Sequence, residues 1–318
     1  MTNAERPARK LPPVLREFKN YIKYWDLSLM LLPVIAYFVI FKYIPMGGIV
    51  IAFKDYKISE GVFKSQWVGL DNYVSIFGTN SRFFLRALRN TMVISLLKLA
   101  IGFPAPILLA ILLNEVRHSA YKRVVQTVSY LPHFLSWVIM AGILTQLLSP
   151  TTGAVNAMLK SWFGLKEPIK FLISDKYFRG TVVASDVWKG VGWGSILYLA
   201  TITAIDPTLY EAAICDGASR FQRVRYITLP SILPTVTIML ILSIGGILDA
   251  GFDQIFNLYS SAVYETGDII DTYVYRLGIE GLKYHLSTAV GLFKNVIGFV
   301  LVVGTNFIAK RLSGNGIW

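Results

Sequence analysis

An all-α, polytopic membrane protein with six transmembrane helices is the fold class predicted for this chain, on three observations. Hydrophobic residues make up 54% of the 318 residues and charged residues only 16%, whereas about a quarter of a soluble domain is charged. The apolar residues are gathered into blocks of about 17–25, the length that crosses a bilayer as helix. The net charge is +12, and basic residues flank the apolar blocks, a pattern of membrane topology and lipid attraction rather than of nucleic-acid binding. The single cysteine, Cys215, excludes an intrachain disulfide and a Cys-x-x-Cys metal site.

The chain opens with a basic arm over residues 1–26, carrying Arg6, Arg9, Lys10, Arg16, Lys19 and Lys23. The apolar run Leu27–Ile44 is too long for a signal peptide and lacks a small-residue cleavage site, so it is predicted to be a retained first span. A loop follows to residue 87. The second span, near 90–113, contains Gly102-Phe103-Pro104-Ala105-Pro106, where two prolines remove helical hydrogen bonds and predict a kink. The third, near 125–148, contains Pro132. The loop 149–180 carries AVNAMLKSWFGL at 154–165, predicted to be an amphipathic helix lying at the membrane interface. The fourth span, near 181–205, carries Gly190, Gly192 and Gly194, and Gly190 and Gly194 form a GxxxG pair suited to close helix contact. A polar, basic segment follows, then the fifth span near 230–248. An acidic, aromatic loop over 249–287 leads to the sixth span near 288–309 and a short tail, 311–318.

An even number of spans puts both termini on one side. With the N-terminus cytoplasmic, the inner segments 1–26, 114–124, 206–229 and 310–318 hold fourteen Lys and Arg, against twelve in the much longer outer loops. The bias predicts cytoplasmic termini.

Residues 206–230 read as helix, turn, helix. Asp206 can cap, Pro207 suits the first helical position, and Thr208-x-x-Glu211 has capping-box spacing. Gly217 ends the helix because it adopts positive φ without steric cost. A second short helix, Ala218–Thr228, carries Arg220, Arg223 and Arg225 with Phe221, Val224 and Ile227, and Pro230 marks entry into the fifth span. Ala212 and Ala213 leave room for a partner surface, and the arginines suit acidic groups or lipid phosphates. The helix pattern alone favours an ordinary intracellular loop with an interfacial helix. The spacing is more specific: Glu211-Ala212-Ala213, Gly217, Ile227, Leu229 and Pro230 fall as EAA-x3-G-x9-I-x-L-P. This resembles the cytoplasmic EAA loop of ABC importer permeases.

The resemblance extends from about residue 25 to 310. WVGLDNY (67–73) is similar to the motif preceding the second span of carbohydrate-type permeases. IPMGGIVIAFKDY (44–56), GFPAPILLAILLNE (102–115), GFDQIFNLY (251–259) and ETGDIIDTYVYRLG (265–278) resemble the subgroup for oligosaccharides and polysaccharide fragments. What the resemblance implies is a type I ABC importer permease fold over residues 27–310. It also implies ATPase coupling through Glu211, Ala212, Ala213, Asp216, Gly217, Arg220, Ile227, Leu229 and Pro230. The implied partners are a second homologous permease, an ABC ATPase dimer, an extracytoplasmic substrate-binding protein, a carbohydrate and membrane lipid. The chain itself would hold no cofactor, ATP and Mg lying on the ATPase.

Absences agree with that division of labour. No G-x4-G-K-[ST] phosphate loop, HExxH or G-x-S-x-G occurs, so an enzyme is not predicted. A stand-alone secondary transporter or channel is the alternative, without need of the cytoplasmic element. Ionisable residues inside spans default to paired or functional roles. Lys98, Lys189 and Lys294 could attract an acidic sugar, although Asp186 and Lys189 are spaced to pair with each other. Trp188, Trp193, Asp249, Asp253 and Asn257 complete the candidate pathway, since sugar sites combine aromatic faces with carboxylates and amides.

Overall fold

The computed structural model describes residues 24–79 and 81–313. Nearly all of the predicted basic arm and the end of the predicted tail therefore lie outside the described residues. Helices dominate. The first, α1, runs over Trp25–Phe53 and is long and apolar enough to span a membrane, with none of its most apolar stretch buried. Its last turns, Gly47–Phe53, pack on the final helix. A two-stranded antiparallel ribbon, β1 (Lys54–Asp55) and β2 (Gln66–Trp67), leads to α2 (Asp71–Phe77). The WVGLDNY stretch fastens this corner. Trp67 stacks on Phe53 at 5.8 Å, and buried Asn72 donates to the Ala52 and Lys54 carbonyls at 2.9 and 3.0 Å. These bonds satisfy backbone acceptors left over where α1 ends.

The second span is α3, a 35-residue helical run over Ser81–Glu115. The break imposed by Pro104 and Pro106 is absorbed as a π-helical turn at Lys98–Gly102, with Pro104 taking the first position of the next α-helical segment. A proline lacks only its own N–H, and the wider turn accommodates its ring without ending the helix.

The predicted third span is not one helix. It divides into α4 (Ser119–Phe134) and α5 (Trp137–Leu147), which meet at 108°. Pro132 tightens the end of α4 into a 3₁₀ turn, Leu135 is extended, and Ser136 caps α5 by accepting from the Ile139 N–H at 3.3 Å. Sequence reading recognised the apolar content of 125–148 but not that Leu-Ser could reset the chain direction. After α5 comes α6 (Ala154–Phe163), ended by Gly164 at φ +63°, with Trp162 and Phe163 exposed.

The fourth predicted span lies on α7 (Asp175–Thr203), 29 residues long. It is absent from the four helices whose length and apolarity both suit a span, because Asp186, Lys189 and its glycines dilute it. Four helices (α1, α3 and the two named next) plus the bent α4–α5 pair meet those criteria, so the sixth crossing rests on the length of α7 alone. The segment 206–230 forms α8 (Pro207–Cys215) and the start of α9 (Arg220–Gly245). Two short helices, α10 (Phe252–Leu258) and α11 (Ile270–Tyr275), precede α12 (Tyr284–Ser313).

Helix α7 is the axis, packing on α3, α4 and α9. Its tightest crossing is at Gly192, where an added Cβ would stand 2.1 Å from the Ser129 carbonyl oxygen of α4. Gly194 abuts Pro106, whereas Gly190 faces open space. The glycine essential to close approach is thus Gly192, not the predicted Gly190–Gly194 pair as such. Gly192→Ala is expected to destabilise the fold by about 1–3 kcal/mol through overpacking. Gly190→Ala should be neutral or slightly stabilising. Thermal unfolding of the two variants in one detergent checks the contrast.

Three buried clusters follow from this arrangement. Ala110, Leu113, Leu199, Ile202 and Ile232 join α3, α7 and α9. Ile94, Leu144, Phe178, Val182 and Ile255 join α3, α5, α7 and α10. Phe84, Ile270, Tyr273 and Val290 join α3, α11 and α12.

Candidate functional site

The projecting element at 206–230 is built by local chemistry. Asp206 accepts from the Thr208 N–H at 2.9 Å and caps α8. That backbone bond, with a further contribution from Thr208, holds its carboxyl below the usual carboxylate range. Gly217 has φ +77°, and the Gly217 and Ala218 amides return to the Ile214 and Ala213 carbonyls at 3.0 and 2.8 Å. Those paired bonds close the helix in the glycine-dependent manner predicted.

Two details differ from expectation. The reciprocal capping box forms at Ser219 and Gln222, not at Thr208 and Glu211; Asp206, two residues earlier, has already taken the capping role. The second helix is not a separate piece ending at Thr228. It passes through a π-helical turn, Val224–Thr228, directly into the fifth span. Pro230 causes no break because the wider turn before it provides room. The second half of the element and span five are therefore one continuous helix, tied to α8 by a 2.9 Å hydrogen bond between the Tyr210 and Thr228 hydroxyls.

Of the predicted contact residues, Glu211, Ala212, Asp216, Gly217, Arg220 and Pro230 are exposed. Ala213, Ile227 and Leu229 are half-buried. Phe221, named above on the second helix, stands out here together with Leu209, Ile214 and Tyr226, which the sequence pattern does not single out; all four are more than half exposed. Helical periodicity alone could not find them, because it assigns such residues to the membrane or core face. Arg220 and Arg225 are exposed on the same element.

The pathway candidates do not converge. A cavity of about 320 Å³ lies between α3, α7 and the end of α9, lined by Ser95, Lys98, Asp186, Ser243 and Asp249 among others. Lys98, on the π-helical turn of α3, donates to Asp186 Oδ1 at 3.0 Å, the Ala250 carbonyl at 2.9 Å and Gln254 Oε1 at 2.5 Å. Gln254 is wholly buried and donates to the Val182 carbonyl and Ser185 Oγ at 2.7 and 2.9 Å. Gly251, at φ +89°, brings the chain beside the Lys98 ammonium. The GFDQIFNLY stretch is thus a receptor for Lys98.

The expected Asp186–Lys189 pair is replaced by this one. Lys189 instead donates to the Pro132, His133 and Leu135 carbonyls, closing the broken end of α4. Trp193 stacks on His133 at 4.6 Å, and Trp188 lines a separate groove. Asp253 and Asn257 are exposed on α10. Lys294 bonds Asp271 at 2.5 Å. Lys98 and Asp249 share the cavity; the other six candidates do not line it.

A second polar centre was not foreseen. Asp268, fully buried, accepts two bonds from Arg276 at 2.8 and 2.6 Å, one from Arg86 at 3.3 Å and one from Thr272 at 2.8 Å. Asn90 donates to the Glu265 and Asp268 carbonyls and accepts from Arg179 at 2.7 Å. The ETGDIIDTYVYRLG stretch is the knot that joins α3, α7 and α11.

A family model described as the binding-protein-dependent transport system inner membrane component matches residues 102–314, spanning α7 and the whole projecting element. The chain belongs to that family. It is a multi-pass membrane permease. Two relatives from Bacillus subtilis (strain 168) match over most of their length. Protein LplB is 48% identical, covering 92% of this chain and 91% of LplB. The polygalacturonan/rhamnogalacturonan transport system permease protein YteP is 46% identical, covering 92% and 90%. A crystal structure of a bacterial ABC transporter involved in import of the acidic polysaccharide alginate superposes with TM-score 0.86 at 45% identity, covering 94% of this permease and 99% of that chain. Another, of a bacterial alginate ABC transporter with an alginate pentasaccharide-bound periplasmic protein, has TM-score 0.86 at 44% identity, covering 95% and 100%. The binding-protein-dependent family is the one that the EAA-like spacing resembles.

Proposed function

We propose that this permease moves an oligosaccharide or polysaccharide fragment inward by alternating access, driven by ATP hydrolysis on a separate ABC ATPase dimer. The observation that carries the reading is the exposed element at α8 and the start of α9, the latter continuous with a membrane helix. An ATPase pair that grips this element, holding its own ATP and Mg, would turn span five as it closes, and hydrolysis would return it. A driven change requires contacts that differ between the two states, and this element provides the site for them. The proposed contact residues are Glu211, Ala212, Asp216, Gly217 and Arg220, with Leu209, Ile214, Phe221 and Tyr226 supplying apolar area. Ala213, Ile227, Leu229 and Pro230 shape the element. The proposed orientation puts this surface and both termini in the cytoplasm.

Uronate-containing cargo is favoured, because relatives at 44–46% identity are named for polygalacturonan and alginate. A second permease and an extracytoplasmic binding protein complete the proposed assembly. The cavity beside Lys98 and Asp186 is the proposed stretch of pathway within this chain, its lysine acting with its carboxylate partner rather than as a free positive charge. The test is uptake into proteoliposomes of the co-purified assembly, with galacturonate oligomers against neutral oligomers of equal length. ATP-dependent uptake of the acidic series alone is expected. Uptake without ATP by the isolated chain would point to a stand-alone transporter.

A further inference from the structure

A second cavity, of about 420 Å³, runs along α7. Gly180 and Ala184 line it together with Leu144, Leu148, Phe171 and Tyr177. It extends from Lys176 to Trp188, twelve positions along one helix, or about 18 Å at 1.5 Å per residue. That length is close to one leaflet of a bilayer whose hydrocarbon core is about 30 Å thick. The Lys176 end is the beginning of α7, remote from the projecting element at 206–230, so it sits where one leaflet's headgroups lie. An adjoining cavity of about 160 Å³ shares Leu148 and Phe171 with the groove and is bordered by Lys170. Among the described residues neither Lys170 nor Lys176 forms an ion pair; Lys176 lies over the Tyr177 ring at 5.3 Å.

We propose that this groove is a binding site for an anionic phospholipid, one acyl chain lying along Gly180 and Ala184 and the phosphate held by Lys176 and Lys170. The charge at the mouth is complementary to a phosphate, and the apolar length behind it matches a single leaflet. A lipid seated there fills the space between α5 and α7 beside the bend of the broken span. It thereby stiffens the packing of α5 on α7.

The test uses the purified protein with whatever subunits accompany it, stripped of lipid in detergent and titrated with phosphatidylglycerol or phosphatidylcholine. Bound lipid is counted by native mass spectrometry and stability followed by thermal unfolding. Phosphatidylglycerol should bind and raise Tm, phosphatidylcholine should do neither, and the preference should weaken with salt. Lys176→Gln should lower phosphatidylglycerol affinity about fivefold, the usual contribution of one lysine near an anionic surface. Gly180→Leu fills the groove at a position where nothing lies within 4 Å of an added Cβ, and it improves helix propensity. It should fold as well as the parent yet lose the lipid. Equal responses to the two lipids, or unchanged phosphatidylglycerol binding in Gly180→Leu, would overturn the proposal. So would a Gly180→Leu protein that keeps its lipid but sheds an accompanying subunit, which would make the groove a subunit contact.

Discussion

Asp268→Ala is expected to cost about 3–5 kcal/mol of stability, the penalty for leaving a buried charge without its partner. The carboxylate is fully buried and holds two guanidinium groups, from Arg276 and Arg86, whose side chains are about four-fifths buried. Removing it frees those cations in a site that water does not readily reach. Asp268→Asn retains an acceptor for Thr272 and for one arm of Arg276 and should lose less. The double variant Asp268→Leu with Arg276→Met should recover part of the loss, since it removes an opposed pair of charges and supplies apolar volume; Arg86 keeps only its 3.4 Å contact with the more exposed Glu265, which prevents full recovery. Thermal unfolding of the parent and the three variants in one detergent ranks the losses. A loss below 1 kcal/mol for Asp268→Ala would mean that the knot is hydrated and structurally dispensable.

Gly217→Asp is expected to leave a folded, membrane-inserted protein that no longer couples to ATP. The backbone at φ +77° strains any side chain, at a cost of about 1–2 kcal/mol, but no atom lies within 4 Å of an added Cβ, so nothing clashes. The damage falls on the outer surface, where a new carboxylate joins Asp216 on the proposed ATPase contact. An unpaired like charge forced into a protein contact costs several kcal/mol, so ATP-driven uptake should fall by about tenfold or more. Gly217→Asn, which tolerates the left-handed conformation better and carries no charge, should retain most activity. Uptake, ATPase activity and co-purification measured side by side separate coupling from assembly. Full transport by Gly217→Asp would remove this surface from the mechanism.

Sequence patterning located α1, α3, α9 and α12 because long apolar runs carry their own signal. It located the Gly217 turn because positive φ selects glycine. It did not distinguish a broken span from a straight one at 125–148, since Leu135 and Ser136 have no composition that announces a right angle. It paired Asp186 with Lys189 because neighbours on a helix are visible in one dimension, whereas Lys98 and Gln254 reach that site from elements far apart in the chain. For the same reason the loop over 249–287 read as a set of acidic residues, while in three dimensions Asp268 and Asp271 are each claimed by a cation from another turn or helix. Exposure of Leu209 and Phe221 depends on what the fold leaves uncovered, which no local pattern encodes.

The π-helical turn at Val224–Thr228 sets an angle. Each residue advances an α-helix by about 100°, so one extra residue in the rod rotates Arg220 and Phe221 by roughly that amount relative to Ile232 and Ile241 beyond it. The nine positions separating Gly217 from Ile227 are thus a torsional calibration, not a spacer. Deleting a single residue from this turn would allow an ordinary α-helix to form with every contact side chain still present. The surface offered to the motor would then point about a quarter-revolution away, a crank keyed wrongly to its shaft.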